Sequence, residues 1–510
     1  MTSLLIICLY LGVLLTLGVA SNRFFTGTSK DYFVASHSIG PVLLLMSVFG
    51  TTMTAFALVG STGKAFTSGV GVYGLMASWS GLVHSAVFFL VGIKVWAIGK
   101  QYGYVTQCQF FRDRYESNFL GHLLFPILVG LVIPYLLIGL IGAGRVVLPI
   151  TSGAFPDLFP HPNPALNGGI PPWLTNLVIA GVVLIYVFFG GLRGAVWANT
   201  LQTIVFMTTG VVAFYLISNR LGGMDAASQQ VLEKVPERLA REGMMGQLQF
   251  FTYCFVPLSV GMFPHLFQHW LTAKSAKTFR LTVVAHPIFI MIVWVPCILI
   301  GIWGAAFYAG QTINPNQVLG RMVGQLIHDP YVSGILGAGI LAAIMSSLDS
   351  QFMCLGTMFT NDVIVHHFGE DHFNDKQKIL LARCFIVLIV VITYILALYE
   401  PAQVFDLGVW CFSGFGSLFP IIVGAVYWKR ATKAGAIASV LAMAATWGYF
   451  FYNDVIIGEA HGEDELLIAG MMPVAIIFFV TLVVFVAVSL VTKPPSEGTI
   501  RKFFPEPIQK

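Results

Sequence analysis

Thirteen apolar segments run along this chain, at approximately 3–21, 40–62, 69–98, 120–148, 173–191, 195–219, 247–270, 281–308, 332–357, 379–399, 404–428, 433–453 and 467–492. Each is near or above the roughly 20 residues a helix needs to cross a bilayer. Of the 510 residues, 57% are hydrophobic and 10% charged, whereas a soluble domain is roughly a quarter charged. So little polar surface cannot cover a water-soluble globule of this size. The composition therefore predicts an all-α integral membrane protein in which one transmembrane domain fills residues 1–492 and lipid is the outer solvent. A net charge of +4 gives no basic face for nucleic acid. The seven cysteines (8, 108, 254, 297, 354, 384 and 411) are scattered and share no metal or redox spacing.

Positive charge orients the chain. Val19-Ala20-Ser21 resembles a signal-peptidase site, but no basic residue precedes the first segment, and Arg23 and Lys30 follow it. A basic flank after the first span places the N-terminus outside. Thirteen spans then put the C-terminus, with a short disordered tail at 493–510, in the cytoplasm of a multi-pass cell (inner) membrane protein. Lys100, Arg112, Arg114, Arg193, Lys274, Lys277, Arg280, Lys429 and Arg430 all fall in inner loops, and 454–466 has no Lys or Arg. Residues 220–246 dissent, with mixed charge that reads as a surface helix on the outside.

The ninth segment, LAAIMSSLDSQFMCLGTMFTNDVI (341–364), places Ser346, Ser347, Asp349 and Ser350 at membrane depth. Such groups cost several kcal/mol there unless something engages them. A small hard cation, which prefers oxygen ligands, is the simplest partner. Ala343 and Ser346 are three apart and share a helix face. The second segment carries Gly50, Thr51, Thr52, Thr54 and Gly60 in its middle, a poor continuous helix and a good broken one. A break at Gly50 and Met53 would free carbonyls to complete a five-oxygen site. The competing reading is that the serines bond back to carbonyls of their own helix and bind nothing.

Five motifs, in order, resemble the sodium:solute symporter family, relatives of the sodium–glucose and sodium–proline cotransporters. They are KDYFVASHSIGP (30–41), YGYVTQCQFFRDRYES (102–117), GGLRGAVWANTLQ (190–202), LAAIMSSLDSQ (341–351) and FSGFGSLFPIIVGAVYWKRATKAGAIAS (412–439). The resemblance implies a LeuT-type fold of two five-helix repeats in inverted topology. They would span 40–219 and 247–428, with the first, twelfth and thirteenth spans peripheral. The broken second span would pair with a seventh interrupted at Gly261, Pro264 and His265. The implied sodium ligands are the carbonyls of Gly50, Met53 and Ala343 and the hydroxyls of Ser346 and Ser347.

The chain departs from the family where the signature helix usually reads Trp-Thr-Asp: here it is Trp197-Ala198-Asn199. In some members that Asp joins hydroxyls of the ninth span at a second sodium site. Here Asp349 and Ser350 stand where those hydroxyls would be. Three options stay open: one sodium only, a rebuilt cation or proton site of Asp349, Ser350 and Asn199, or polar packing of Asp349 on neighbours such as Asn199. Arg145, in a Gly-Arg-Val context used by a sialic-acid-transporting member, is either a snorkelling interfacial residue or a clamp for a substrate carboxylate. Thr54, Phe56, Ala57, Trp79, Phe412 and His265 are candidates for the substrate cavity or its gate, against ordinary packing. His269 replaces a usual arginine. Gly69-Val-Gly71-Val-Tyr-Gly74 fits a dinucleotide pattern but opens a membrane helix with no preceding strand.

The expected activity is sodium-coupled symport of a small polar solute, with a carboxylate or amino acid as the candidate classes, by alternating access. Sodium ion is the coupling species, and the chain is not an enzyme. A proton-coupled carrier using Asp349 is the alternative on the same fold. A sodium-binding sensor or channel is the alternative from another class.

Overall fold

The computed structural model describes residues 1–21, 27–35, 38–399, 402–458 and 466–505. Arg23 and Lys510, two of the topology charges, and Ser36-His37 of the first motif lie outside them. The described residues are almost wholly helical. The helices that matter are α1 (Thr2–Ser21), α2 (Pro41–Thr52), α3 (Phe56–Ser68), α4 (Ser80–Tyr102), α5 (Gln107–Arg114), α6 (Asn118–Ile150), α7 (Pro172–Arg220), α8 (Gln247–Gly261) and α9 (Pro264–Thr272). They continue with α10 (Ala276–Phe307), α11 (Pro330–Phe368), α12 (Asp375–Ala397), α13 (Val404–Tyr427), α14 (Lys433–Ile457), α15 (Pro473–Val491) and α16 (Glu497–Phe503).

Among the described residues, ten helices are long and apolar enough to cross a membrane, and the bent pairs α2–α3 and α8–α9, each taken as one span, raise this to twelve. Helix α7 has 49 residues. At about 1.5 Å per residue it reaches about 74 Å, more than twice a hydrocarbon core of about 30 Å. It kinks at Gly191, whose φ of 56° and ψ of −160° are non-helical. A Cβ there would sit 2.7 Å from the Tyr32 ring, so glycine supplies both the turn and the close approach. Arg193, two residues on, pairs with Asp31 at 2.6 Å and pins the segment before α2 against this kink. The kink makes α7 long enough for two crossings, the expected fifth and sixth.

Burial separates centre from rim. The apolar windows of α11 and α13 are 83% and 89% buried, against 28% in α1 and α14 and 33% in α15. Polar side chains on α11 therefore face protein. The 220–246 region is helical over Met224–Lys234 and continues into a short 3-10 turn, Pro236–Leu239. It packs on the ends of α3 and α10 through Val70 N–H to Arg238 O (2.8 Å) and Trp303 Nε1–H to Ser228 Oγ (3.2 Å).

The disordered tail expected at 493–510 is corrected for most of its length. Ser496 caps α16, and Phe503 is buried against the rest of the protein. Tertiary aromatic contacts and ion pairs, invisible in a short polar segment, order it. Residues 506–510 lie outside the described residues.

Candidate functional site

Two interruptions build the centre. Helix α2 starts on Pro41 and ends at Thr52, and Met53 adopts φ −90° and ψ 88°. Thr54 Oγ1 accepts from the Phe56 N–H at 3.0 Å, and α3 leaves at 56° to α2. The second break lies at Met262–Phe263, where Pro264 opens α9 at 51° to α8. A proline at the first helical position loses no intrahelical bond, so the chain turns there at little cost.

At the first break, Ser346 Oγ lies 2.7 Å from Gly50 O and 2.8 Å from Ala343 O. Ser347 Oγ donates to Ile344 O at 2.9 Å. All four residues named here for the ion (Gly50, Ala343, Ser346, Ser347) and Met53 are buried. The serines do bond carbonyls of their own helix, as the competing reading holds, but three residues back. Ser346 also reaches across to α2. Gly50 has no room for a side chain: a Cβ would meet Thr203 Oγ1 at 2.5 Å. The carbonyl of one broken helix thus faces the hydroxyl of a buried unbroken one, an oxygen-rich point with the chemistry a hard monovalent cation needs.

One turn further along α11, Asp349 is fully buried. Its Oδ2 accepts from Tyr186 OH (3.1 Å) and its Oδ1 from Ser350 Oγ (3.0 Å). Asn199 Nδ2 donates to Ser350 Oγ at 2.9 Å, and His269 Nε2 lies 3.0 Å from the same oxygen. Ser47 Oγ lies 3.0 Å from His269 Nδ1. A hydroxyl has one proton. With that of Ser350 given to Asp349, His269 must donate through Nε2–H and accept from Ser47 at Nδ1. The network joins α2, α7, α9 and α11. Beside it, the Gln202 amide faces the hydroxyls of Tyr10 and Tyr186, and Asn199 Oδ1 is buried with no hydrogen-bond partner among the described residues, where buried polar atoms seldom go unpaired. His269, noted in the sequence only as a replacement for arginine, and Tyr186 enter the centre this way. No motif marked either, because their partners are far away in the chain.

A small cavity lies between the two breaks, lined by Thr52, Phe56, Ser80, His84, Tyr135, Tyr253, Ser259, Phe263, Trp294 and Phe412 among others. It is aromatic with a few hydroxyls and carries no Asp, Glu, Lys or Arg. Phe56 packs edge-on against Phe412 at 4.8 Å, and Tyr135 against Phe412 at 5.0 Å. Of the sequence candidates, Phe56 and Phe412 line this space. Thr54 sits behind it as the cap of α3. His265 is buried with its ring stacked on Phe263 (5.2 Å) and 5.6 Å from Tyr135, one layer from the cavity. Trp79 packs on Phe250 and Phe251. Ala57 and Arg145 are not among the lining residues. His84, Tyr135 and Trp294 were missed, though a histidine within the apolar third segment was a usable signal.

The profile of the sodium:solute symporter family matches residues 32–152 and 169–442. The high-affinity proline transporter PutP of Bacillus subtilis (strain 168) is 23% identical over 492 residues, covering 94% of this chain and 96% of that one. A sodium/proline symporter of Staphylococcus aureus (strain JH9) is 24% identical over 510 residues, with coverages of 96% and 93%. Among solved structures, a substrate-bound outward-open Na+-coupled sialic acid symporter superposes with a TM-score of 0.77 at 14% identity, over 97% of this chain and 99% of that one. Inward-facing Mhp1 superposes at 0.56 and 12% identity, over 91% and 94%. The architecture is therefore LeuT-type, two five-helix repeats around broken helices. With its broken helices, buried oxygen cluster and matched profile, this chain belongs to the sodium:solute symporter family and is a multi-pass membrane transporter that couples sodium to solute movement by alternating access.

Proposed function

We propose that this symporter carries a small zwitterionic amino or imino acid, with sodium held by the carbonyls of Gly50, Met53 and Ala343 and the hydroxyls of Ser346 and Ser347. The observation that carries the ion site is Ser346 Oγ between Gly50 O and Ala343 O, at 2.7 and 2.8 Å. Sodium there would tie α2 to α11 and favour the state in which they are close. Its differential affinity for the two states is the coupling. Release follows when α2 and α11 separate.

The solute reading rests on the cavity. A carboxylate can accept from hydroxyls of the lining such as those of Ser80 and Ser259. An ammonium suits the faces of Tyr135 and Phe412. A side chain with a full charge would find no partner in the lining. The proline-transporting relatives support the same class. Arg145 has no part in this binding mode.

Asp349, Ser350 and Asn199 are proposed as a second cation site, supported by the unpaired Asn199 Oδ1 on the residue that donates to Ser350 beside the carboxylate. The repeats are taken as residues 40–219 and 247–428, with the N-terminus outside and the C-terminus in the cytoplasm of the cell membrane.

The test is uptake by proteoliposomes of a labelled panel of proline, other amino acids, monocarboxylates and sugars, under an inward sodium or proton gradient. Sodium-driven accumulation of an amino or imino acid, lost in Ser346→Ala/Ser347→Ala, is expected. Proton-only drive, or uptake indifferent to both serines, overturns the ion site. Preference for sugars or monocarboxylates overturns the solute class.

A further inference from the structure

The loop between α4 and α6 holds more contacts than a connector needs. Its helix α5 is fixed at the start by a capping box between Thr106 and Gln109. Thr106 Oγ1 donates to Asp362 Oδ1 of α11 at 2.9 Å, and Arg112 reaches the same carboxylate at 3.7 Å. Phe110 packs edge-on against Phe267 of broken-helix half α9 at 5.7 Å. Arg114 has no exposed surface; it donates to Ala425 O at 2.8 Å and Trp428 O at 2.9 Å, at the end of α13. Helix α5 thus ties α9, α11 and α13 together on the face that carries the C-terminus. Opening toward that face has to break these ties.

The C-terminal segment is clamped onto α5. Lys502 pairs with Asp113, which also accepts from Tyr104 OH. The Lys502 ammonium lies over the Tyr102 ring at 4.4 Å, and Tyr102 OH donates to Lys502 O at 3.2 Å. Glu116 Oε1 accepts from the Ser496 N–H at 3.0 Å and from the hydroxyls of Ser496 and Thr499. Phe503 is 3% exposed and packs on Phe110 at 5.6 Å. Phe503 and Phe504 lie over the Arg114 guanidinium at 5.8 and 5.4 Å. A continuous aromatic line, Phe503–Phe110–Phe267, leads from the C-terminal helix to the second half of a broken span.

We propose that α16 is a latch: docked on α5 it holds the C-terminal face closed, and opening toward that face requires it to release. Its grip consists of one partly exposed ion pair, the hydrogen bonds to Glu116 and one buried ring, which suits an element that must let go in each cycle.

Cys108, on α5 and fully buried, reports on this joint. Full-length protein in detergent is treated with a maleimide, and labelling is located by mass spectrometry. Lys502→Glu and Phe503→Ala are expected to speed Cys108 labelling by about tenfold, the size of a shift of one decade in a two-state equilibrium, while Cys297 and Cys411 in the membrane core stay slow. Cys108 labelling at the wild-type rate overturns the latch. If all three thiols speed up together, a second variant decides. Glu116→Cys/Ser496→Cys is bridged by a short reducible bifunctional reagent in proteoliposomes. Arrest of sodium-driven proline uptake on bridging, with recovery on reduction, supports the latch. Uptake by the bridged protein at the unbridged rate overturns it. An unbridged protein that moves no solute counts against the solute reading, and Cys108 labelling after bridging then decides the latch: slower labelling supports it, an unchanged rate overturns it.

Discussion

Replacing Ser346 with alanine separates an ion ligand from a helix-packing hydroxyl. The Ser346 hydroxyl has one proton and faces two carbonyls, Gly50 O at 2.7 Å and Ala343 O at 2.8 Å. When sodium binds, a lone pair must turn to the ion, and the bond to Gly50 O is given up. A hydrogen-bond-scale contact to a charged group is worth about 1.5–3 kcal/mol, and the neutral bond it displaces about 0.5–1.5. The variant loses the first and no longer sacrifices the second, so sodium binding should weaken by about 1–1.5 kcal/mol, a roughly five- to tenfold rise in half-saturating sodium. Without sodium, the variant leaves Gly50 O without its cross-helix donor and should be less stable by about 1 kcal/mol. Sodium titrations of thermal stability on purified protein, with choline as control, read both effects. Uptake at varied sodium reads the first independently. A half-saturating concentration within twofold of wild type, with the stability loss present, would show that the hydroxyl only packs helices and would refute the ligand assignment.

Four further outcomes are expected. Gly50→Ala should abolish sodium-dependent uptake because its Cβ would lie 2.5 Å from Thr203 Oγ1, and adding Thr203→Ala should restore part of it; no recovery would place the damage elsewhere. Asp349→Asn keeps the shape but removes the ionisable carboxyl, and flux-ratio measurements should show one fewer cation per solute; an unchanged ratio removes Asp349 from the ion path. Arg114→Lys cannot reproduce a fork bonded to Ala425 O and Trp428 O, and should cost on the order of 3 kcal/mol in thermal unfolding; a wild-type melting temperature would contradict that. Burial pushes the Glu116 carboxyl up, but hydrogen bonds from Ser496 and Thr499 outweigh it and hold it below its ordinary value of 4.5. A lowered folded value means that this contribution to docking is complete above about pH 4.5 and is lost as pH falls through the lowered value. Proteolytic release of the C-terminal segment should therefore rise only at acid pH and depend less steeply on pH in Glu116→Gln, which keeps the Asp113–Lys502 pair.

The local parts of this account were legible in the chain. Segment length against bilayer thickness decides how often the chain crosses. The glycines and threonines of 50–60 and Pro264 mark the two breaks, because helix failure is a property of neighbouring residues. The Ala343, Ser346, Ser347 face follows from helical periodicity. Cross-chain geometry was not legible. Ser47, His269 and Ser350 come from three separate segments, and only packing of α2, α9 and α11 brings them within 3.0 Å steps of each other. His84, Tyr135 and Trp294 likewise come from three separate segments and meet only at the cavity between the two breaks.

The C-terminal segment makes the same division. Its sequence is short, polar and without a hydrophobic period, so nothing local predicts order. Its partners are Asp113, Glu116 and Phe110, nearly the whole chain away. Hydrophobicity and backbone propensity act over a few residues and fixed the number of spans and the places where they break. Charge pairing, ring packing and shared protons act through space, and tertiary structure alone decided which side chains meet around Ser350, where the aromatic cavity between the two breaks lies, and that α16 docks on α5.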